Sequence, residues 1–376
     1  MHIRVNKNKV LQLLGFLIFA NILIASIFWM LPTESLLLSL QASRWASKMS
    51  EDFKRKMQTR NGEQGNSTSV KHSNLKEIIV RIDECGCDRK MFVEAYKVGT
   101  YNDSTCSLTS YLRGAGQKVI GFSFYGNPNS SKGKQRKYFQ GIEDNLSLVP
   151  LHYPNWTVRV YYDLETDDPV LDNLCQLTCS NPNIDICHVR NNPSSGDISK
   201  IFAMNWRFFP TLDPQVDAFL SRDLDSRINS REKAAVDDWF KTNKHFHFMR
   251  DNPAHGIEIL GSGWGVRMGP QESHVRKMFR ESFREASHDP MFWAERNAYG
   301  PDQGFLKRYI WPWAKWSALS HDSYFCRQFP RPSPFPTRRK NGTNNFIAAV
   351  VEAGDYLVQE CPRACRPKSH PDWTTC

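Results

Sequence analysis

Four short apolar runs, each followed by a stretch with helical spacing, constrain this chain more than any other feature. They are Val119-Ile120-Gly121-Phe122-Ser123-Phe124, Val158-Arg159-Val160-Tyr161-Tyr162, Ile184-Asp185-Ile186-Cys187-His188-Val189 and Val216-Asp217-Ala218-Phe219-Leu220. Runs this short and this rich in Val, Ile, Phe and Tyr read as strands covered on both faces. Helices are expected between them, around 138–148, 171–178 and 198–208. That alternation predicts an α/β fold with a mostly parallel central sheet and helices on both faces. Ligands of such sheets gather at the carboxyl ends of the strands. Both Ser123-Phe124-Tyr125-Gly126 and Asp223-Leu224-Asp225 fall there.

The second of these is the chain's only Asp-x-Asp triplet, in Ser221-Arg222-Asp223-Leu224-Asp225-Ser226-Arg227. Two carboxylates at the exit of a buried strand form a hard-oxygen site for a cation, and flanking arginines suit a diphosphate that shares the cation. This is the chemistry of nucleotide-sugar donors. A triplet of this kind also occurs by chance in a solvated loop, so its place at a strand exit carries the argument.

The amino terminus bears on location. Residues 10–31 carry no charge, and as a helix they are long enough to cross a hydrocarbon core of ~30 Å. Arg4, Lys7 and Lys9 precede them without an acidic residue, which predicts a cytosolic tail (1–9), a transmembrane signal anchor (10–31) and a lumenal remainder. A cleaved signal peptide is the alternative, but the apolar stretch exceeds the usual h-region and no small-x-small site follows it. A polar stretch at 49–74 marks a stem, taken as 32–84. Beyond it, 85–326 reads as the principal domain and 327–376 as a C-terminal cap tied down by cysteines. All ten cysteines lie past the anchor and their number is even, as disulfides in an oxidising lumen require. Zinc spacing is poor. Six glycosylation patterns, at Asn66, Asn102, Asn129, Asn145, Asn155 and Asn341, are also lumenal. The net charge of +10 favours anionic partners, and the compartment argues against nucleic acid.

After the triplet, Ser230 can cap a helix through Trp239. A strand is expected over Ile257-Glu258-Ile259-Leu260, running into the glycine turn Gly261-Ser262-Gly263-Trp264-Gly265, where glycines permit close approach of backbone or ligand. Tyr299-Gly300-Pro301-Asp302-Gln303-Gly304 precedes a short helix, and His321 follows an aromatic segment. Plainer readings exist: Asp302 as a helix cap, His321 as a satisfied structural residue, and Trp264, Trp311 and Trp313 as core. No Gly-x4-Gly-Lys-Ser/Thr phosphate loop and no Gly-x-Ser-x-Gly elbow is present.

The order of anchor, stem, βαβ units, Asp223-Leu224-Asp225, glycine turn, Asp302-Gln303 and late His321 resembles the GT-A class of Golgi glycosyltransferases, over roughly residues 118–326. It looks most like the retaining members, although the Lys-Pro-Trp that follows their histidine is absent. The resemblance implies a GT-A-like fold behind a single transmembrane helix. It implies Mn²⁺ or Mg²⁺ on Asp223 and Asp225, completed by His321, with Asp225 the more direct ligand. Arg222, Arg227 and Arg250 would assist the diphosphate, and Phe122, Ser123, Phe124 and Tyr125 would receive the nucleotide. Asp302 would serve the acceptor side, as a base or as an orienting group. The activity so implied is transfer of a sugar from a nucleotide sugar to a glycan, glycoprotein or glycolipid acceptor in the Golgi lumen. A membrane-anchored glycan-binding or partner protein of the same fold, without turnover, is the alternative.

Overall fold

The computed structural model describes residues 75–94, 100–125, 132–270, 273–296, 298–339, 345–351 and 359–376. The expected tail, anchor and most of the stem lie outside them. Among the described residues no helix is long and apolar enough to cross a membrane.

An eight-stranded, mostly parallel sheet forms the centre. Its strands are β3 (Gln117–Tyr125), β4 (Thr157–Asp163), β5 (Ile184–His188), β6 (Val216–Ser221), β7 (Phe246–Arg250), β8 (Trp264–Arg267), β9 (Ala318–Asp322) and β10 (Pro332–Ser333). They lie in the order β10-β9-β7-β8-β6-β3-β4-β5. Only β8 runs antiparallel, against β6 and β7. The first four coincide with the four apolar runs. Helices α1 (Lys132–His152) and α2 (Pro169–Ser180) make the crossovers from β3 to β4 and from β4 to β5. Ile142, Leu146 and Val149 recur at helical spacing on α1 and pack with Phe122, Phe124 and Val160 in the main core. Asp168 caps α2 by accepting from Val170 N–H at 2.9 Å, and Pro169 follows at the first helical position.

After β5 the chain returns to the other side of β3 and enters β6. The sheet therefore changes direction between β3 and β6, and a doubly wound sheet opens a crevice at such a point. The return passes through Ala203–Leu212, a 3-10 helix and not the α-helix expected over 198–208. Trp206, Arg207, Phe208 and Phe209 are all buried there, so the segment has no solvent face, and Pro210 lacks an N–H for an α-helical ladder. It lies tight on β3: a Cβ at Gly121 would stand 2.5 Å from the Arg207 carbonyl oxygen.

Within the range read as stem, β1 (Leu75–Ile82) pairs with β2 (Cys87–Glu94) in a hairpin. Two further expectations are corrected. Helix α3 (Ser230–Phe240) is capped by Asn229, which accepts from Glu232 N–H, and not by Ser230. The strand expected from Ile257 starts only at Trp264, because the carbonyls of the glycine turn are committed elsewhere. Gly261 O accepts from Ser221 Oγ at 2.6 Å, Ser262 O from Arg222 at 3.3 Å and Gly263 O from Met249 N–H at 2.8 Å.

All ten cysteines are paired. Cys85–Cys175 and Cys87–Cys179 fasten the hairpin to α2, and Cys106–Cys187 reaches β5. Cys326–Cys365 and Cys361–Cys376 tie the C-terminal segment down. Hairpin and edge strand are joined electrostatically as well, since Arg89 of β2 bonds the buried Asp185 of β5, which Arg113 also bonds.

Candidate functional site

The carboxyl ends of β3 and β6 collect groups from four elements. Tyr125 ends β3 and Asp223 follows β6. Arg207 comes from the 3-10 helix, and Asp302 sits in the first turn of α4 (Pro301–Phe305). One guanidinium links the carboxylates: Arg207 bonds Asp302 Oδ2 at 2.7 Å with one terminal nitrogen and Asp223 Oδ1 with the other. Arg207 is 1% exposed and Asp223 27%, so the bridge runs from the interior to the crevice wall. The glycine turn makes room for it, because a Cβ at Gly261 would lie 2.7 Å from Arg207 and 2.8 Å from Asp302. Close approach of backbone or ligand is the expectation at this turn; at Gly261 the approaching group is this side-chain ion pair.

The loop carrying the two aspartates is held from both sides. On one side α1 presses backbone to backbone: a Cβ at Gly141 would come within 1.8 Å of Leu224 O. Asn145 donates to Ser226 O at 3.0 Å and accepts from Ile228 N–H at 3.1 Å, while Asp144 binds Arg227 at 2.8 Å. On the other side the C-terminal segment bridges Ser226 through Val350, and Val351 N–H donates to Asp225 O at 3.1 Å. The segment read as a C-terminal cap thus contacts the acidic loop.

Electrostatics distinguish these carboxyls from ordinary surface ones. Burial raises the Asp225 pKa, and the neighbouring Asp223 raises it further. Burial also raises that of Asp302, with Arg207 opposing. Tyr138, on α1, is raised by burial and by Asp225 and Asp223, and Tyr125 is pushed up to about 12, chiefly by burial. Burial disfavours the charged form of Asp225 and Asp302, and a divalent cation beside them would favour it. Asp223 and Asp225 therefore fit a hard metal by donor chemistry.

The remaining predicted residues are placed otherwise. Phe122 and Phe124 face the main core and not the crevice, while Ser123, on the opposite face of β3, accepts from Arg207 N–H at 3.1 Å. Of the four, only Tyr125 borders the site, edge-on to Trp206. Arg222 turns inward to Glu232 at 2.8 Å and to the Ser221 and Trp264 carbonyls. Arg227 bonds Asp144 and the Leu224 carbonyl. Arg250 is buried between Asp322 and the Ile257 carbonyl, over the Phe329 ring. Each of these three arginines is engaged by a carboxylate outside the triplet and by backbone carbonyls.

His321 is not brought to the aspartates. Its strand, β9, stands three strand spacings from β6, about 14 Å across the sheet. Its Nδ1 lies 2.8 Å from His247 Nε2, and its Nε2 lies 3.4 Å from Asp238. Burial lowers the pKa of both histidines, as suits a neutral structural pair. Trp264 is core. Among the described residues the one gathering of three metal-ligand side chains is Asp322, Cys326 and Cys365. Both its sulfurs are spent in a disulfide, which removes the thiolates a metal needs.

Arg207 and Tyr138 escaped sequence reasoning. The signal for Arg207 was present: an arginine inside Trp206-Arg207-Phe208-Phe209 has no polar face to occupy and must find buried carboxylates. Fold and site together define an α/β domain with a cluster of three aspartates at the switch point of its sheet. Compared with known protein families and with curated proteins, the chain matches no family model and no curated relative.

Proposed function

We propose that this protein is a divalent-metal-dependent glycosyltransferase of the GT-A type. It would move a sugar from a nucleotide-diphosphate donor to a glycan, glycoprotein or glycolipid acceptor, in the Golgi lumen, from a single N-terminal anchor. One observation carries the reading. At the switch point of a mostly parallel sheet, the only Asp-x-Asp triplet stands beside a buried third carboxylate held by the same arginine. Asp223 and Asp225 are the residues to hold Mn²⁺ or Mg²⁺, which when bound stabilises the negative charge of a departing diphosphate. Tyr125 borders the space for the nucleotide. Asp302, made more basic by burial, is suited to take a proton from an acceptor hydroxyl or to orient it. Arg207 fixes Asp302 relative to the metal-binding pair. Five disulfides that use every cysteine support an oxidising compartment.

The test is a thermal-shift and calorimetric screen of the purified protein against UDP, GDP and CMP donors, with and without Mn²⁺. A metal-dependent response to one nucleotide is the expected result and identifies the donor class. A folded sample that responds to none overturns the reading and leaves the non-catalytic glycan-binding alternative.

A further inference from the structure

Three of the six glycosylation patterns fall on described residues, and the fold treats their asparagines differently. Asn102 is exposed in the short turn Tyr101–Asp103. Asn155 is exposed in the turn between α1 and β4, with a φ of 69°, a left-handed conformation that asparagine tolerates better than most residues. Asn145, on α1, is 1% exposed. Both hydrogens of its amide are engaged: Nδ2 donates to Gly141 O at 2.9 Å and to Ser226 O at 3.0 Å, and Oδ1 accepts from Ile228 N–H at 3.1 Å.

We infer that Asn102 and Asn155 carry N-linked glycans, whereas Asn145 carries none and serves instead to fasten the acidic loop to α1. The inference rests on the lumenal orientation proposed above. Attachment forms a bond between asparagine Nδ2 and the anomeric carbon of an oligosaccharide carried on a polyprenyl diphosphate. The lipid diphosphate departs, and one amide hydrogen leaves as a proton. At Asn145 the lost hydrogen is one of the two that hold Gly141 O and Ser226 O, both inside a contact where α1 and the loop meet backbone to backbone. A sugar has no path out of that contact. Attachment precedes folding, so the pattern Asn145-Leu146-Ser147 alone permits modification. A chain modified there could not close α1 onto the loop and would be missing from folded material.

The two exposed sites carry no such conflict. Ser104 and Thr157, the third members of their patterns, are buried after folding, which is immaterial once the glycan is attached. Asn155 borders a cavity of about 370 Å³, with room beside it for a first sugar. It precedes β4, whereas Asp223 follows the parallel β6, so the glycan stands at the end of the sheet away from the crevice.

The full chain is expressed in a secretory host, its protease-resistant folded fraction is isolated, and the glycans are removed by an amidase that converts each occupied asparagine to aspartate. Peptide mass spectrometry then reads occupancy. Conversion at Asn102 and Asn155 with none at Asn145 is expected, and Asn102→Gln and Asn155→Gln should each lose the mass of one glycan while keeping nucleotide binding. Conversion at Asn145 in folded protein overturns the inference. So do glycans confined to Asn66, Asn129 or Asn341, a result that leaves the lumenal reading standing. Absence of glycan at all six positions overturns the inference and the lumenal reading together.

Discussion

Two arginine–aspartate assemblies lie at the carboxyl ends of the sheet, and they are finished to different degrees. At β7, Asp251 accepts from Arg231 at 2.7 Å through both carboxylate oxygens, from Ser323 Oγ at 2.6 Å and from Ile347 N–H at 3.2 Å. Arg231 and Arg339 also bond the Cys376 carbonyl oxygen. Asp251 is fully buried. It knits α3, β7 and the C-terminal segment together and offers nothing to a ligand. At the switch point, Arg207 bridges Asp223 and Asp302, but Asp223 stays partly exposed, and burial raises both Asp225 and Asp302. A network satisfied on all sides is scaffold. One whose carboxylates are only partly enclosed is where the proposed chemistry is placed.

The comparison can be broken by substitution, and the largest effect belongs to the finished network. Arg231→Ala removes the bidentate partner of buried Asp251, leaving it Ser323, Ile347 and the longer Arg339 contact, and should cost ~3–5 kcal/mol of stability, read as a large drop in Tm or loss of folded protein. A variant with wild-type Tm would show that this network is not structural. Next comes Asp225→Asn, which should leave Tm nearly unchanged yet weaken Mn²⁺-dependent nucleotide binding by ~100-fold or more. Unchanged affinity in a folded variant rejects the metal assignment, and misfolding makes Asp225 structural.

Smaller effects sharpen the contrast. Gly261→Ala pushes a methyl into the Arg207–Asp302 pair and should cost ~1–3 kcal/mol, with a fall in kcat for the proposed transfer and little change in donor affinity. If donor affinity falls instead, the glycine turn serves the nucleotide and not Asp302. The smallest effect is in pH dependence. The Asp302 pKa is raised from 3.8, so its stabilising contribution is complete below 3.8 and is lost as pH rises through the folded-state value. Asp302→Asn should flatten that part of the Tm–pH profile, and an unchanged profile removes Asp302 from the account.

Much of this was legible in the chain. Strands β3 to β6 and the cores of α1 and α2 showed as periodic apolar patterns, because burial on a regular element leaves a regular trace. The Asp223-Leu224-Asp225 triplet and Asp302 could be singled out by type and by place at an element's end. The arginines could not be sorted that way. Arg222, Arg227 and Arg250 flank acidic or aromatic residues just as Arg207 does, yet they pair with Glu232, Asp144 and Asp322, and Arg207 bridges Asp223 and Asp302. That distinction depends on which carboxylates the fold brings to each arginine. His321 failed for a related reason, since chain order carries no distance across a sheet.

What the amino-acid sequence determined alone is local: which segments are strands and helices, that the cysteines exist to pair, and that two carboxylates leave a buried strand together. What the tertiary structure decided is partnership. Pairing of β6 with β3 placed the triplet at the switch point, Gly141 and Val351 gripped its loop from opposite sides, and Arg207 joined Asp223 to a carboxylate 79 residues further on. The physical reason is range. Propensity and periodicity act over a few neighbouring residues, whereas the charge balance of a buried site is set by groups that meet only when the sheet closes.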